Sequence, residues 1–161
     1  DFKEQLLYLK HLRRLYKFKF PTASEFLQFG FVGGTGFIVD SLIYFGLQLF
    51  LGLNHTVARA ISFWPAVTWN WFWNRTVTFT DRDKSKKLTQ WLSFVMTSLG
   101  GFAINFGSYT LLTEYVPFFI EKPFMAFIIG VLMGMGFNFM VARIFVFREL
   151  NEEVAGEVKT K

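Results

Sequence analysis

The chain has 161 residues, of which 52% are hydrophobic, 20% aromatic and only 18% charged, and 23 are Phe. Soluble domains carry about 25% charged residues; here the apolar residues fall in runs of membrane-spanning length, which excludes an ordinary water-soluble domain and, through the high hydrophobicity, a disordered chain. The absence of Cys excludes a disulfide framework, a thiolate metal site and a thiol nucleophile, and the formal charge of +5 is arranged as membrane orientation rather than as a nucleic-acid surface.

Residues 1–25 form a basic, amphipathic leader. Lys10, Arg13, Arg14 and Lys17 are spaced i, i+3, i+4, i+7, one stripe on a helix, with Leu6, Leu9, Leu12, Leu15 and Tyr16 supplying an apolar side. Such a helix lies in the membrane interface rather than across it. It serves either as an anchor using positive charge or as a cradle for an anionic lipid head group. Pro21 is expected to end it, and Thr22 or Ser24 to cap the next helix. The start at Asp1 rather than Met suggests a segment of a longer protein.

A hydrocarbon core of ~30 Å takes about 20 apolar residues of helix, and four stretches qualify. They run from about Phe26 to Leu51, interrupted by Asp40; from about Val57 to Trp73, with Arg59 near the start; from about Leu88 to Leu112, without charge; and from about Phe124 to Val146, with Arg143 near the end. Pro65 is expected to bend the second. The tail from Glu149 to Lys161 is polar. Residues 26–148 are therefore read as a four-helix membrane domain between a leader (1–25) and a cytoplasmic tail (149–161), an all-α membrane protein. Fifteen of the 17 Lys and Arg residues lie in the leader, in the loop between the second and third spans, or from Arg143 onward. Both termini and that loop are thus expected on the cytoplasmic side of a multi-pass protein of the cell membrane.

The second and fourth spans end alike. Asn70-Trp-Phe-Trp-Asn-Arg75-Thr-Val-Thr-Phe79 parallels Asn138-Phe-Met-Val-Ala-Arg143-Ile-Phe-Val-Phe147, and Gly36-Phe-Ile-Val-Asp40 parallels Gly101-Phe-Ala-Ile-Asn105. This reads as a duplicated two-helix hairpin, two parallel repeats about an axis along the membrane normal. Gly30–Gly34 and Gly130–Gly134 are both GxxxG pairs, expected to pack helices closely.

A carboxylate deep in lipid must face protein or water, or pair. Asp40 is such a group, with Asn105 at the equivalent place and Arg59 able to lean toward it; they form either a polar path or a structural contact between helices. Asn70 and Asn74 share one helix face, followed by Arg75, and Asn138 with Arg143 repeats the arrangement. Those arginines either hold a lipid phosphate or anchor the helix ends beside the aromatic belt. His11 and His55 are isolated, so no metal site is expected, and no catalytic set or phosphate loop is present.

The stretch Phe29 to Asp40, the Asn70–Phe79 ending and its echo at Asn138–Phe147 resemble the GtrA-like membrane family, over about residues 26–148. The resemblance implies a link to polyprenyl-phosphate-linked sugars. Free-standing members are thought to move undecaprenyl-phosphate-glucose across the membrane; others follow a cytoplasmic glycosyltransferase domain, as in prokaryotic dolichyl-phosphate mannose synthases. The leader resembles the second arrangement. It implies a membrane module that holds a polyprenyl or dolichyl phosphate with its phosphate among Arg13, Arg14, Arg75 and Arg143, and a catalytic domain upstream on the same chain. No cofactor is expected in this segment, since a divalent metal would belong to that catalytic domain. A homo-oligomer is possible, and a stand-alone lipid-sugar flippase using Asp40, Arg59 and Asn105 is the alternative.

Overall fold

The computed structural model describes residues 21–148; residues 1–20 of the leader, with Arg13 and Arg14, and the polar tail lie outside the described residues. Helix α1 is Pro21–Leu51, α2 His55–Trp73, α3 Lys87–Tyr115, α4 the five residues Pro117–Glu121, and α5 Pro123–Val141. Helix α1 already runs from Pro21, so Thr22 and Ser24 lie within its first turn rather than at a cap. At 1.5 Å per residue its 31 residues extend about 46 Å.

The turn from α1 to α2 is short because Gly52 adopts φ +61, a conformation open to glycine without strain. There its N–H reaches the Gln48 carbonyl at 3.1 Å. Asn54 then caps α2, its side-chain oxygen accepting from the Val57 N–H at 3.0 Å. Helix α2 continues unbroken through Pro65. Pro117 and Pro123 open α4 and α5, where a missing N–H costs nothing.

Both α2 and α5 widen at their ends into a five-residue π-helix, Asn74–Thr78 and Ala142–Val146. Each π turn has an arginine as its second residue and is followed by a buried phenylalanine, Phe79 or Phe147.

Helix α1 packs mainly along α2, and α3 along α5; the contact of α1 with α5 and of α2 with α3 is slighter. The two pairs meet in an aromatic core at the end that carries the π turns. Phe79 and Phe147 stack there with centroids 4.7 Å apart, flanked by Phe29 and Phe94. Other contacts come in twos at the spacing of the sequence repeat. A Cβ at Gly36 would overlap the Asn70 amide, and one at Gly101 the Asn138 amide.

The two GxxxG pairs behave differently. In α5, a Cβ at Gly130 would lie 2.7 Å from the Asn105 carbonyl oxygen, and one at Gly134 would lie 2.6 Å from that of Gly101, so these glycines admit close backbone approach. In α1, Gly34 has nothing within 4 Å and Gly30 meets only the Met135 sulfur at 3.4 Å. That pair borders a cavity instead of a helix contact.

Large apolar side chains point outward on every long helix, among them Phe31 at 76% exposed, Trp64, Phe102 and Phe127. Water would not tolerate so continuous an apolar surface. Among the described residues two helices are both long and apolar enough to cross a bilayer, Pro21–Leu51 and Pro123–Val146, against the four expected from sequence. Helices α2 and α3 have the length, but Arg59 and the Asn and Trp residues of α2, and the Gln, Ser and Thr of α3, lower their hydropathy.

Candidate functional site: an arginine-rich end above a polar-seamed cavity

The arginines gather at the end formed by the two π turns and the loop after the first. Arg75 is only 6% exposed. Its Nη1 donates to Gln90 Oε1, its Nη2 to the Lys84 carbonyl at 2.6 Å, and its guanidinium lies 5.5 Å from the Trp71 ring centroid. Gln90 in turn donates to the carbonyls of Asp83 (3.1 Å) and Val146 (3.4 Å). Arg143 donates through Nε to Glu25 Oε2 at 2.8 Å, and Arg82 reaches Glu25 Oε1 at 3.3 Å. Glu25 itself is buried on α1.

Two ties therefore cross between the helix pairs. Arg75, after α2, binds Gln90 on α3; Arg143, after α5, binds Glu25 on α1. Both arginines are engaged by protein groups, Arg75 more completely, whereas the Arg143 side chain keeps 29% of its exposure. A recess of about 250 Å³ beside them is lined by Lys86, Arg148, Thr89 and Ser93, with Asp83 also on its wall. The sequence reading passed over Glu25, Gln90, Lys86 and Arg148 as site residues. Glu25 and Gln90 occupy matching places in the repeat, 65 residues apart like Gly36 and Gly101, and that was the available signal. In the loop, Asp83 is held below its ordinary pKa by the Ser85 backbone N–H first and the Ser85 hydroxyl second, with Lys86 and Arg75 adding to the effect.

Beneath this end lies a cavity of about 550 Å³ between α1, α3 and α5. Its walls are apolar, Phe29, Phe37, Phe94 and Phe102 among them, but Asn70, Asn74, Asn105, Asn138 and Ser98 make a polar seam. The Asn74 side-chain oxygen is satisfied by Thr78 Oγ1 at 2.8 Å. The side-chain oxygens of Asn70 and Asn138, packed against Gly36 and Gly101, are buried without a hydrogen-bond partner, which is costly.

Asp40 and Arg59 do meet. Arg59 Nη1 donates to Asp40 Oδ2, and Ser62 Oγ to Oδ1 at 2.7 Å. Asp40 is 8% exposed, while the Arg59 side chain is 64% exposed. Asn105, the equivalent of Asp40, lies against Gly130 of α5 and faces the cavity. The structure thus joins Asp40 with Arg59, and Asn70, Asn74, Asn105 and Asn138 around one cavity, while Arg75 and Arg143 sit in separate ties. Among the described residues no cluster of His, Asp and Glu could hold a metal ion.

Outward-facing apolar helices with cations at one end define a membrane domain. Residues 28–152 match the family described as GtrA/DPMS, transmembrane domain, and the chain belongs to that family. A dolichol-phosphate mannosyltransferase of Pyrococcus furiosus is 27% identical over 140 residues, covering 84% of this chain and 37% of the relative, so the chain spans little more than a third of that relative's length. The protein is accordingly a membrane module of glycosyltransferase-related type.

Proposed function

We propose that this chain is the membrane part of a polyprenyl-phosphate glycosyltransferase of the dolichyl-phosphate mannose synthase type. Its α1, α2, α3 and α5 cross the bilayer as two parallel two-helix repeats, with both termini and the loop after α2 on the cytoplasmic side. The module anchors the enzyme and holds the isoprenoid phosphate acceptor, with the tail along the apolar grooves and the phosphate at the arginine-rich end. A catalytic domain upstream on the same chain then meets an acceptor already oriented, which converts a search of the bilayer into a positioned encounter.

The observation that carries this reading is the concentration of Arg75, Arg82, Arg143 and Arg148 at one end of the helices, directly above an apolar-walled cavity. Arg143 and Arg148, with Lys86, offer the accessible donors. Arg75 acts through position, fixing the loop that carries Lys86. Binding of polyprenyl phosphate to the chain in neutral-lipid nanodiscs tests this. Replacing Arg143 and Arg148 together by Gln should raise the Kd roughly tenfold or more, the loss of two charge-assisted bonds; an unchanged Kd rejects the site.

A second reading, translocation of a lipid-linked sugar, is favoured by the amide-bearing Asn70, Asn105 and Asn138 among the residues that line the cavity. They would accept from sugar hydroxyls on a path through the bilayer. Movement of labelled polyprenyl-phosphate-sugar across vesicles by the chain alone supports that reading over the anchor.

A further inference from the structure

The far end of the bundle carries a second constellation. Arg59 precedes Arg75 by 16 residues along α2 and into its π turn, about 24 Å at 1.5 Å per residue, so it lies at the end away from the crossed ties. A groove of about 860 Å³ opens there between the end of α1, the start of α2 and the middle of α3. Its polar rim is Tyr44, His55, Thr56 and Arg59, and Phe63, Leu99 and Phe102 form its apolar wall.

The rim offers donors. The Gln48 side-chain nitrogen and the Tyr44 hydroxyl both lie 2.7 Å from His55 Nδ1. With the Gln48 amide nitrogen as donor, Nδ1 accepts and the ring carries its proton on Nε2, where it can donate. The Asp40 carboxylate is buried and takes one edge of Arg59. The pair therefore presents its guanidinium, the positive end, outward, with further N–H groups in a planar fork suited to phosphate oxygens. Thr56 adds a hydroxyl. A donor rim over an aromatic and aliphatic wall complements an amphiphile with an anionic head.

We propose that this groove binds the phosphate of an anionic bilayer phospholipid, the head group on Arg59, His55 and Thr56 and an acyl chain against Phe63, Leu99 and Phe102. Its head-group residues lie at the opposite end from the acceptor's phosphate site, and Phe102 borders both the groove and the cavity.

The test uses the full chain in phosphatidylcholine nanodiscs doped with phosphatidylglycerol, with co-retained lipid counted by native mass spectrometry. Because Arg59→Gln alone would strand Asp40, one variant is Asp40→Asn with Arg59→Gln. A second, His55→Leu with Thr56→Val, leaves the ion pair intact. Phosphatidylglycerol affinity should fall roughly tenfold in the first variant and severalfold in the second, the loss of charge-assisted and neutral hydrogen bonds respectively, with phosphatidylcholine retention unchanged. Equal phosphatidylglycerol retention by wild type and both variants overturns the proposal. So does parallel loss of both lipids, which would mark a groove for tails alone, and so does polyprenyl phosphate outcompeting phosphatidylglycerol at the same residues.

Discussion

Gly134→Ala measures how much of the fold depends on the close approach of α5 to α3. The new Cβ would stand 2.6 Å from the Gly101 carbonyl oxygen and 2.9 Å from the Asn105 Cβ, where ordinary contact begins near 3.4 Å. Neither atom ends a flexible side chain, so relief of about 0.8 Å must come from moving one helix off the other. Overpacking of this kind costs about 1–3 kcal/mol, and the better helix propensity of Ala offsets at most ~1 kcal/mol of it. Two residues on, Gly136 has nothing within 4 Å, so Gly136→Ala should be neutral or stabilising. The two variants should differ by about 2 kcal/mol, or roughly 4–8 °C in Tm for a chain of this size. Thermal unfolding in mild detergent, followed by Trp fluorescence, reads the difference. A Gly134→Ala Tm equal to or above that of Gly136→Ala refutes the close approach.

Glu25→Ala, which removes the carboxylate shared by Arg82 and Arg143, should cost about 3 kcal/mol or more. Glu25→Gln, which keeps an acceptor as Gln90 does in the other tie, should cost less, and the order of the two midpoints in denaturant checks this. Asp83 should titrate below the ordinary aspartate range by carbon NMR, and Ser85→Ala should move it back up. Since its folded pKa is depressed, its contribution to loop stability is present above the unfolded pKa and is lost as pH falls through the lower folded value. The contribution is small for so exposed a group.

The long helices were legible because apolar runs bounded by charge leave little choice: the structure ends α1 at Leu51 and α2 at Trp73, as the sequence indicates. The Asp40–Arg59 pairing was legible for a related reason, since a carboxylate at that depth needs a partner and few were within reach. The π turns were not legible, because nothing in Asn74–Thr78 or Ala142–Val146 marks a wider turn until Phe79 and Phe147 are seen to stack. Nor were the roles of Arg75 and Arg143. A boundary arginine reads the same whether it faces lipid or protein, and the groups that hold them lie on the other helix pair, Glu25 being 118 residues from Arg143. The first GxxxG misled because the motif records small residues without saying whether a helix or an empty space lies opposite.

The crossed arginine ties have a mechanical corollary. Each joins one helix pair to the other, and both sit, with the stacked Phe79 and Phe147, at a single end. The molecule is thus fastened like a clothes-peg at its spring. Any parting of the two arms must begin at the far tips, near Arg59, and widen there while the clasp holds.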